Sequence, residues 1–195
     1  MTELLHFEET LFHLVNSGCQ NPFFDWLMPL LRDKFFWVPV YLFIASFLLI
    51  NFRKQGLVII LALALTIGLS DSVNSQLLKK NVQRLRPCQV LKPAKDMHLL
   101  VPCGSGFSFP STHAANHFAI AIFLTLVLGK FFRWIKIPLV LWASSVAFAQ
   151  VYVGVHYPID VLMGGLFGAM VAWGVFLLVR LLPQHWTRLE IQAPD

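Results

Sequence analysis

The sequence predicts an all-α protein, a polytopic transmembrane helical bundle of about five spans with short interfacial helices before it. Two observations predict this class. Hydrophobic residues make up 57% of the chain and charged residues 13%, whereas a soluble domain is near half apolar with about a quarter charged. The apolar residues also form runs long enough to cross roughly 30 Å of hydrocarbon. No linker or internal repeat divides the chain, so we expect a single domain over residues 1–195.

Residues 1–34 are expected to lie in the membrane interface. The apolar side of the first helix comprises Leu4, Phe7, Leu11, Leu14 and Val15, and the acidic residues mostly opposite are Glu3, Glu8 and Glu9. Such two-sided helices lie in the plane of the interface. Asn21 and Pro22 predict the cap and first position of a second short helix that ends near Leu31. The acidic start lacks a long apolar core, so we expect it to be retained in the mature protein.

The transmembrane core is predicted over residues 35–183. Its spans are expected at residues 35–52, 57–78, 110–132, 135–150 and from 158 to just before Pro183. Polar residues enter the last third of the second span, where Asp71, Ser75 and Lys79 recur every four residues. We expect them to form one polar stripe that faces the bundle interior. A hydrogen-bond network without chemistry is the alternative reading.

Two further features of the core concern packing and cross-linking. Gly164, Gly168 and Ala172 are spaced by four and predict close packing of the last helix. Residues 80–109 form one long polar connection, and loops of that length are usually functional. Cys88 and Cys103 bracket it, and both a disulfide and two free thiols are compatible with the sequence. Cys19 is expected to act as a small apolar residue.

The distribution of basic residues predicts the orientation. One face would hold most of them, including Arg53, Lys54, Lys130, Arg133, Lys136 and Arg180. By the positive-inside rule this face is cytoplasmic. The 80–109 loop and His156 then lie on the exoplasmic face, although part of that loop is basic too.

Three clusters of reactive side chains converge on that exoplasmic face. Lys79 and Arg86 close the second span, Ser111, Thr112 and His113 open the third, and His156 and Asp160 open the fifth. The cations and the helix start suit phosphate oxygens. An imidazole held by a carboxylate through one nitrogen can attack with the other. A second imidazole can protonate a leaving oxygen.

The pattern Lys-x6-Arg-Pro, Pro-Ser-x-His and His-x3-Asp, in that order over residues 79–160, resembles the type 2 phosphatidic acid phosphatase superfamily of membrane lipid phosphatases. The resemblance implies a helical bundle and a metal-independent mechanism through a phosphohistidine. It makes His156 the nucleophile, Asp160 its orienting carboxylate and His113 the general acid. Phosphate binding falls to Lys79, Arg86, Ser111, the backbone of Thr112, and Gln150.

The resemblance also implies partners and a location. The substrate is a lipid phosphomonoester or diphosphate, such as undecaprenyl diphosphate, phosphatidic acid, phosphatidylglycerol phosphate or a lipid A phosphate. No cofactor, metal or nucleic acid is expected, and the other partners are membrane lipids. The expected location is a bacterial inner membrane, with the site on the periplasmic face and the C-terminus in the cytoplasm. The oligomeric state stays open.

Two positions depart from the family pattern. Thr112 replaces a glycine whose N–H faces the phosphate, which a threonine in helical conformation still provides. Gln150 stands where an arginine is expected, so one of three cations is missing. Loss of one charge-assisted contact costs about 1.5 to 3 kcal/mol. Arg84 and Lys80 are candidates to compensate.

Several alternatives follow from the same residues. One is a catalytically impaired relative that binds lipid phosphate or serves in transport or assembly, as Gln150 suggests. Another is the haloperoxidase branch of the superfamily, which five spans in so short a chain disfavour. A third is a metal site made of His113, His117, His156 and Asp160, which would leave Lys79 and Arg86 unexplained. Asn116 and His117 are expected to support His113.

Overall fold

The computed structural model describes residues 2–90, 97–183 and 186 and is all-helical over these residues. In chain order the helices are α1 (Thr2–Asn16), α2 (Pro22–Arg32), α3 (Val38–Val73), α4 (Lys79–Val82), α5 (Pro87–Val90), α6 (Thr112–Leu128), α7 (Lys136–Tyr152) and α8 (Pro158–Arg180). A π-helical turn, Asn74–Leu78, joins α3 to α4. Residues 91–96 of the predicted 80–109 loop lie outside the described residues.

Helix α3 contains the predicted turn between the first two spans. Arg53 has a left-handed backbone with φ of 47°, and the chain reverses there. A side chain at Gly56 would overlap the backbone of Leu48, and Tyr41 faces Ile67 across a shared cavity between the two halves. The two halves of α3 therefore run antiparallel, and the turn predicted at residues 53–56 is confirmed.

Two segments are long and apolar enough to cross a membrane, Val38–Val90 and Pro158–Arg180. The first of them includes the reversal at Arg53. Helix α6 is apolar but shorter, with 17 residues. The class predicted from composition is thus supported.

Helices α6 and α8 form the closest helix pair of the fold. A side chain at Gly164 would overlap the backbone of Ser111, and one at Gly168 would overlap the backbone of Ala115. Ala172, one turn further, is fully buried. The predicted small-residue stripe is confirmed, and it brings the start of α6 against the start of α8.

The two N-terminal helices are tied to α7 and to the loop. Asn21 caps α2 by accepting from the Phe24 N–H at 2.9 Å, as the sequence predicts. Asn16 is fully buried and donates to the carbonyls of His98 and Tyr152. Asp25 accepts from the Tyr152 hydroxyl at 2.6 Å. These bonds hold α1 and α2 against the end of α7, where the chain approaches His156.

The buried stripe of α1 differs from its apolar side. Phe7 and Leu14 are 62% and 61% exposed, which leaves them free to enter lipid. Glu8, Phe12 and Asn16, each four residues from the next, are the buried ones. Glu8, which the pattern groups with the acidic side, therefore packs against the protein.

Candidate active site

The turn between α7 and α8 places His156 and Asp160 together. Pro158 is the first residue of α8, and Asp160 Oδ2 accepts from the Tyr157 N–H at 2.9 Å. Gly154 adopts φ of +84°, and a side chain there would crowd the backbone of His98. Asp160 thus lies in the first helical turn and reaches back along the chain, as the sequence predicts.

His156 is buried between a carboxylate and a guanidinium. Its Nδ1 lies 3.5 Å from Asp160 Oδ2, and its Nε2 lies 3.4 Å from Arg86 Nη1. The first distance is longer than an ordinary hydrogen bond, and catalytic bonds often tighten only when substrate binds. With the proton assigned to Nδ1, the Nε2 lone pair faces the Arg86 guanidinium. The Nε2 edge of the imidazole therefore faces the cationic side of the site.

The surroundings keep His156 neutral. Burial lowers the pKa of His156 to about 4. Arg86 and Lys79 also lower it, while the neighbouring carboxylate of Asp160 acts in the opposite direction. A neutral imidazole at pH 7 has the free lone pair that a nucleophile needs.

Arg86 is held by backbone carbonyls of the 80–109 loop and of the turn before α8. Its Nε donates to the Gly106 carbonyl at 2.9 Å and its Nη1 to the Val155 carbonyl at 3.3 Å. Cys88 and Cys103 form a disulfide in the structure, which resolves the alternative that the sequence left open. The cross-link fixes the loop residues that contact the guanidinium. Cys19 is free.

The start of α6 provides the second cluster. Ser111 is fully buried and caps α6, with its Oγ accepting from the Ala114 N–H at 3.4 Å. Thr112 and His113 follow and line a cavity of about 310 Å³ together with Asp71 and Lys34. The charge of His156 acts on His113 across the site. The structure therefore brings the second and third motifs together.

Lys79 belongs to the site, but the expected polar stripe is interrupted. The N–H of Lys79 bonds to the Asn74 carbonyl, five residues back, which is π-helical. Ser75 bonds to the backbone of Asp71, whose side chain is exposed and accepts from Asn116. The predicted stripe is supported at its two ends, since Asp71 lines the cavity beside His113 and acts electrostatically on Lys79, but the π turn shifts the register between them. Lys79 is half-buried and acts electrostatically on both Arg86 and Asp160.

Gln150 lies directly under the His156 turn. Its carbonyl accepts from the N–H groups of Val155 and His156, both at 3.2 Å. The residue is fully buried, and neither side-chain amide atom has a hydrogen-bond partner within the part of the chain that the structure describes. The amide is therefore a buried polar group whose hydrogen bonds are unsatisfied within those residues.

His117 has a packing role. Its Nδ1 lies 2.8 Å from the His113 carbonyl, its Nε2 lies 3.3 Å from the Tyr41 hydroxyl, and its ring packs on Trp142. Among residues 2–90 and 97–183, no three His, Cys, Asp or Glu side chains form a group that could hold a metal ion. The metal set considered from the sequence does not assemble there.

Sequence reasoning missed Glu8 and Arg32, and it named Arg84 only as a candidate cation for phosphate. Arg84 donates to Asp160 Oδ1 at 2.8 Å and also pairs with Glu8. Arg32, at the end of α2, acts electrostatically on Arg86 and on His113. Its Nε is buried and has no hydrogen-bond partner among the described residues. No local pattern marks these residues, since each acts on a residue far away in the sequence.

The chain is similar to several known proteins. Residues 55–183 match the sequence model of a family described as the PAP2 superfamily. The lipid A 4'-phosphatase of Bacteroides thetaiotaomicron is 37% identical over 100% of this chain and 85% of that protein. The undecaprenyl-diphosphatase of Sulfolobus acidocaldarius is 31% identical over 90% of this chain and 78% of that protein.

Two solved structures share the fold. A PAP2 type phosphatidylglycerolphosphate phosphatase from Bacillus subtilis superposes with a TM-score of 0.75 at 23% identity, covering 94% of this chain and 90% of that one. LpxE of Aquifex aeolicus superposes with a TM-score of 0.65 at 29% identity, covering 86% of this chain and 93% of that one.

Proposed function

We propose that this chain, which belongs to the PAP2 superfamily, is a membrane phosphatase that hydrolyses a lipid phosphate through a phosphohistidine at His156. The observation that carries the proposal is the placement of His156, with Nδ1 toward Asp160 and Nε2 toward Arg86. A phosphate bound by Arg86 would meet the free lone pair of the imidazole.

In the first step, His156 Nε2 forms a bond to phosphorus while the bond from phosphorus to the lipid oxygen breaks. The leaving oxygen takes a proton from His113, whose protonated form is favoured by the negative charge of the bound phosphate. Asp160 stabilises the positive charge that develops on His156.

In the second step, a water oxygen attacks phosphorus and the N–P bond breaks. His113 now accepts the proton of the water, so that inorganic phosphate leaves and both imidazoles return to their starting states. The lipid oxygen and the water would approach His113 from the cavity that His113 and Thr112 line.

The phosphate oxygens would be bound by the residues that close one end of the bundle. These are Lys79, Arg86, Ser111, the backbone of Thr112 and the free amide of Gln150. Arg32 supplies a cation in place of the expected arginine at position 150, because its charge acts on Arg86 and His113 and its Nε is unpaired among the described residues. Arg84 is already bound to Asp160 and Glu8, so it does not serve this purpose.

We propose a lipid A phosphomonoester as the first substrate to test. This choice is supported by the Bacteroides thetaiotaomicron relative, a lipid A 4'-phosphatase that aligns along the whole chain. We further propose five crossings of a bacterial inner membrane, with α1 and α2 in the exoplasmic interface and the site on the periplasmic side. The concentration of Arg53, Lys54, Lys130 and Arg180 at the other end supports this orientation.

Phosphate release by the purified protein tests the function. The panel comprises lipid A 4'-phosphate, undecaprenyl diphosphate, phosphatidic acid and phosphatidylglycerol phosphate, each assayed in EDTA. We expect release from at least one substrate and an acid-labile phosphoenzyme, both lost in His156→Ala. His6→Ala, which removes an exposed histidine of α1, is the matched control. No release from any substrate, or full activity in His156→Ala, would refute the proposal.

A catalytically impaired lipid-phosphate binder is the second candidate, because Gln150 brings no charge. The same panel run with Gln150→Arg separates the two. Turnover by the wild type supports the enzyme, whereas turnover by the arginine variant alone supports the binder.

A further inference from the structure

A chain of charged groups leads from α1 to the imidazole. Glu8 accepts two hydrogen bonds from the Arg84 guanidinium, the one from Nη1 to Oε1 measuring 3.1 Å. The same Nη1 donates to Asp160 Oδ1 at 2.8 Å. Asp160 Oδ2 faces His156 Nδ1. The order Glu8, Arg84, Asp160, His156 is therefore continuous.

Each member of this chain is enclosed. Glu8 is 8% exposed, Asp160 is fully buried, and the Arg84 guanidinium lies 4.2 Å above the centre of the Tyr157 ring. Burial disfavours the charge on Arg84, but the hydrogen bonds and charges of Glu8 and Asp160 outweigh it and raise the pKa of Arg84. The guanidinium thus stays charged between two carboxylates.

Glu8 also binds the element that carries the catalytic pair. Its Oε1 lies 3.3 Å from the Ile159 N–H, one of the unpaired donors in the first turn of α8. Phe12, one turn along α1, packs on Tyr157 with ring centres 5.6 Å apart. Helix α1 therefore contacts both the Asp160 side chain, through Arg84, and the backbone beside it.

We propose that Glu8 and Arg84 are positioning residues for the reaction of His156: Arg84 fixes the second oxygen of Asp160, and Glu8 balances the charge of Arg84. The inference rests on the proposed function for its catalytic consequence. Without Glu8, the positive charge of Arg84 would offset the negative charge of Asp160. Asp160 would then stabilise His156 less when the imidazole becomes cationic during attack.

The other charges around His156 stay the same when Glu8 or Arg84 is changed. They are Arg86 on the loop, Lys79 on α4, Asp160 on α8 and His113 on α6. Tyr157 contacts Arg84, and the charges of Glu8, Glu9 and Asp160 act electrostatically on Tyr157. A change in the titration of His156 in the variants below therefore reports the charge that was removed.

The test uses Glu8→Gln, which keeps the size of the side chain, Arg84→Gln, which shortens it, and the double variant. Arg84→Gln removes a positive charge and should move the pKa of His156 upward by about half a unit or more. Glu8→Gln removes a negative charge and should move it downward. The double variant removes both charges, so the pKa of His156 should return toward its wild-type value. Glu3→Gln takes the same charge from an exposed position of α1 and is the control.

Histidine ¹⁵N NMR of the detergent-solubilised protein measures this pKa without any turnover, with His156→Gln identifying the signal. On the active substrate, kcat should fall about tenfold in each single variant, KM should change less than twofold, and the double variant should recover part of kcat. Shifts of the same sign in the two single variants, or additive losses in the double variant, would overturn the inference. A wild type without phosphatase activity would refute the proposed function, while the NMR shifts would still test the positioning chain.

Discussion

The backbone N–H of Ser111 donates a 2.9 Å hydrogen bond to the backbone carbonyl of Asp160. This bond joins the start of α6 to the start of α8. Through it the serine expected to bind phosphate and the carboxylate beside His156 share one main-chain connection. The glycine one turn beyond Asp160 makes the approach possible, because Gly164 lies against the Ser111 backbone.

Gly164→Ala should therefore impair both stability and activity. The added methyl group meets backbone atoms of Ser111 that have no flexible end to move, and overpacking of this kind costs about 1 to 3 kcal/mol. Gly174→Ala, on the same helix with no atom within 4 Å of the new methyl group, is the control. We expect a lower thermal midpoint in detergent and reduced kcat for Gly164→Ala alone. Equal behaviour of the two variants would contradict the close packing.

Activity should persist in mild acid. Burial lowers the pKa of His156 to about 4 from its ordinary value of 6.5, so the neutral nucleophile predominates at every pH above that. Protonation removes the lone pair only as the pH falls through about 4. A pH profile of kcat/KM, which reports the titration of the free enzyme, should show no acid limb near 6.5 other than the one that comes from the titration of the substrate phosphate itself. An acid limb at 6.5 that moves in Arg86→Gln would indicate an ordinary, exposed imidazole.

Reduction of the disulfide should weaken substrate binding. The Cys88–Cys103 disulfide joins the segment just after Arg86 to the segment just before Gly106, whose carbonyl accepts from Arg86, and a cross-link of this span stabilises by about 3 kcal/mol in the chain-entropy model. We expect KM to rise several-fold in Cys88→Ser/Cys103→Ser and in reduced wild type, with a smaller effect on kcat. Cys19→Ser should match the wild type. If a reductant also lowers the activity of the double serine variant, its effect does not come from the disulfide.

Arg32→Gln should cost about ten- to a hundredfold in kcat/KM, the loss of one charge-assisted phosphate contact. Gln150→Arg should restore part of the activity in the Arg32→Gln background, because the new cation enters from α7 in place of the one from α2. Lys54→Gln, an exposed cation at the opposite end of the bundle, serves as the control. If Arg32→Gln is fully active, another group supplies the missing charge.

The sequence predicted those features that depend on neighbouring residues. Asn21 and Pro22 predicted the start of α2, Pro158 predicted the start of α8, and Gly164 predicted the contact with α6. Caps, prolines and small residues at fixed spacing act within one or two helical turns, so their effects are visible in a short window. The meeting of the three motifs followed from their positions at the same end of the predicted spans.

The remaining parts of the site depend on contacts that the sequence does not encode locally. Glu8 looks like any acidic residue of an interfacial helix, and only the fold brings Arg84 to it. The interruption between Asp71 and Lys79 was missed because a four-residue spacing assumes regular α-helix, whereas a π turn inserts a bond over five residues. Arg32 was missed because charge acts through space and leaves no spacing to recognise.

The contact between α1 and α8 also bears on biosynthesis. Glu8 leaves the ribosome long before Ile159 and Asp160, yet it binds the backbone of one and, through Arg84, the side chain of the other. A nascent chain whose last apolar helix has not yet been inserted holds the arginine and the glutamate but lacks the carboxylate and the imidazole. The charged chain therefore cannot assemble before α8 has been synthesised, and a partly synthesised protein cannot have the complete site.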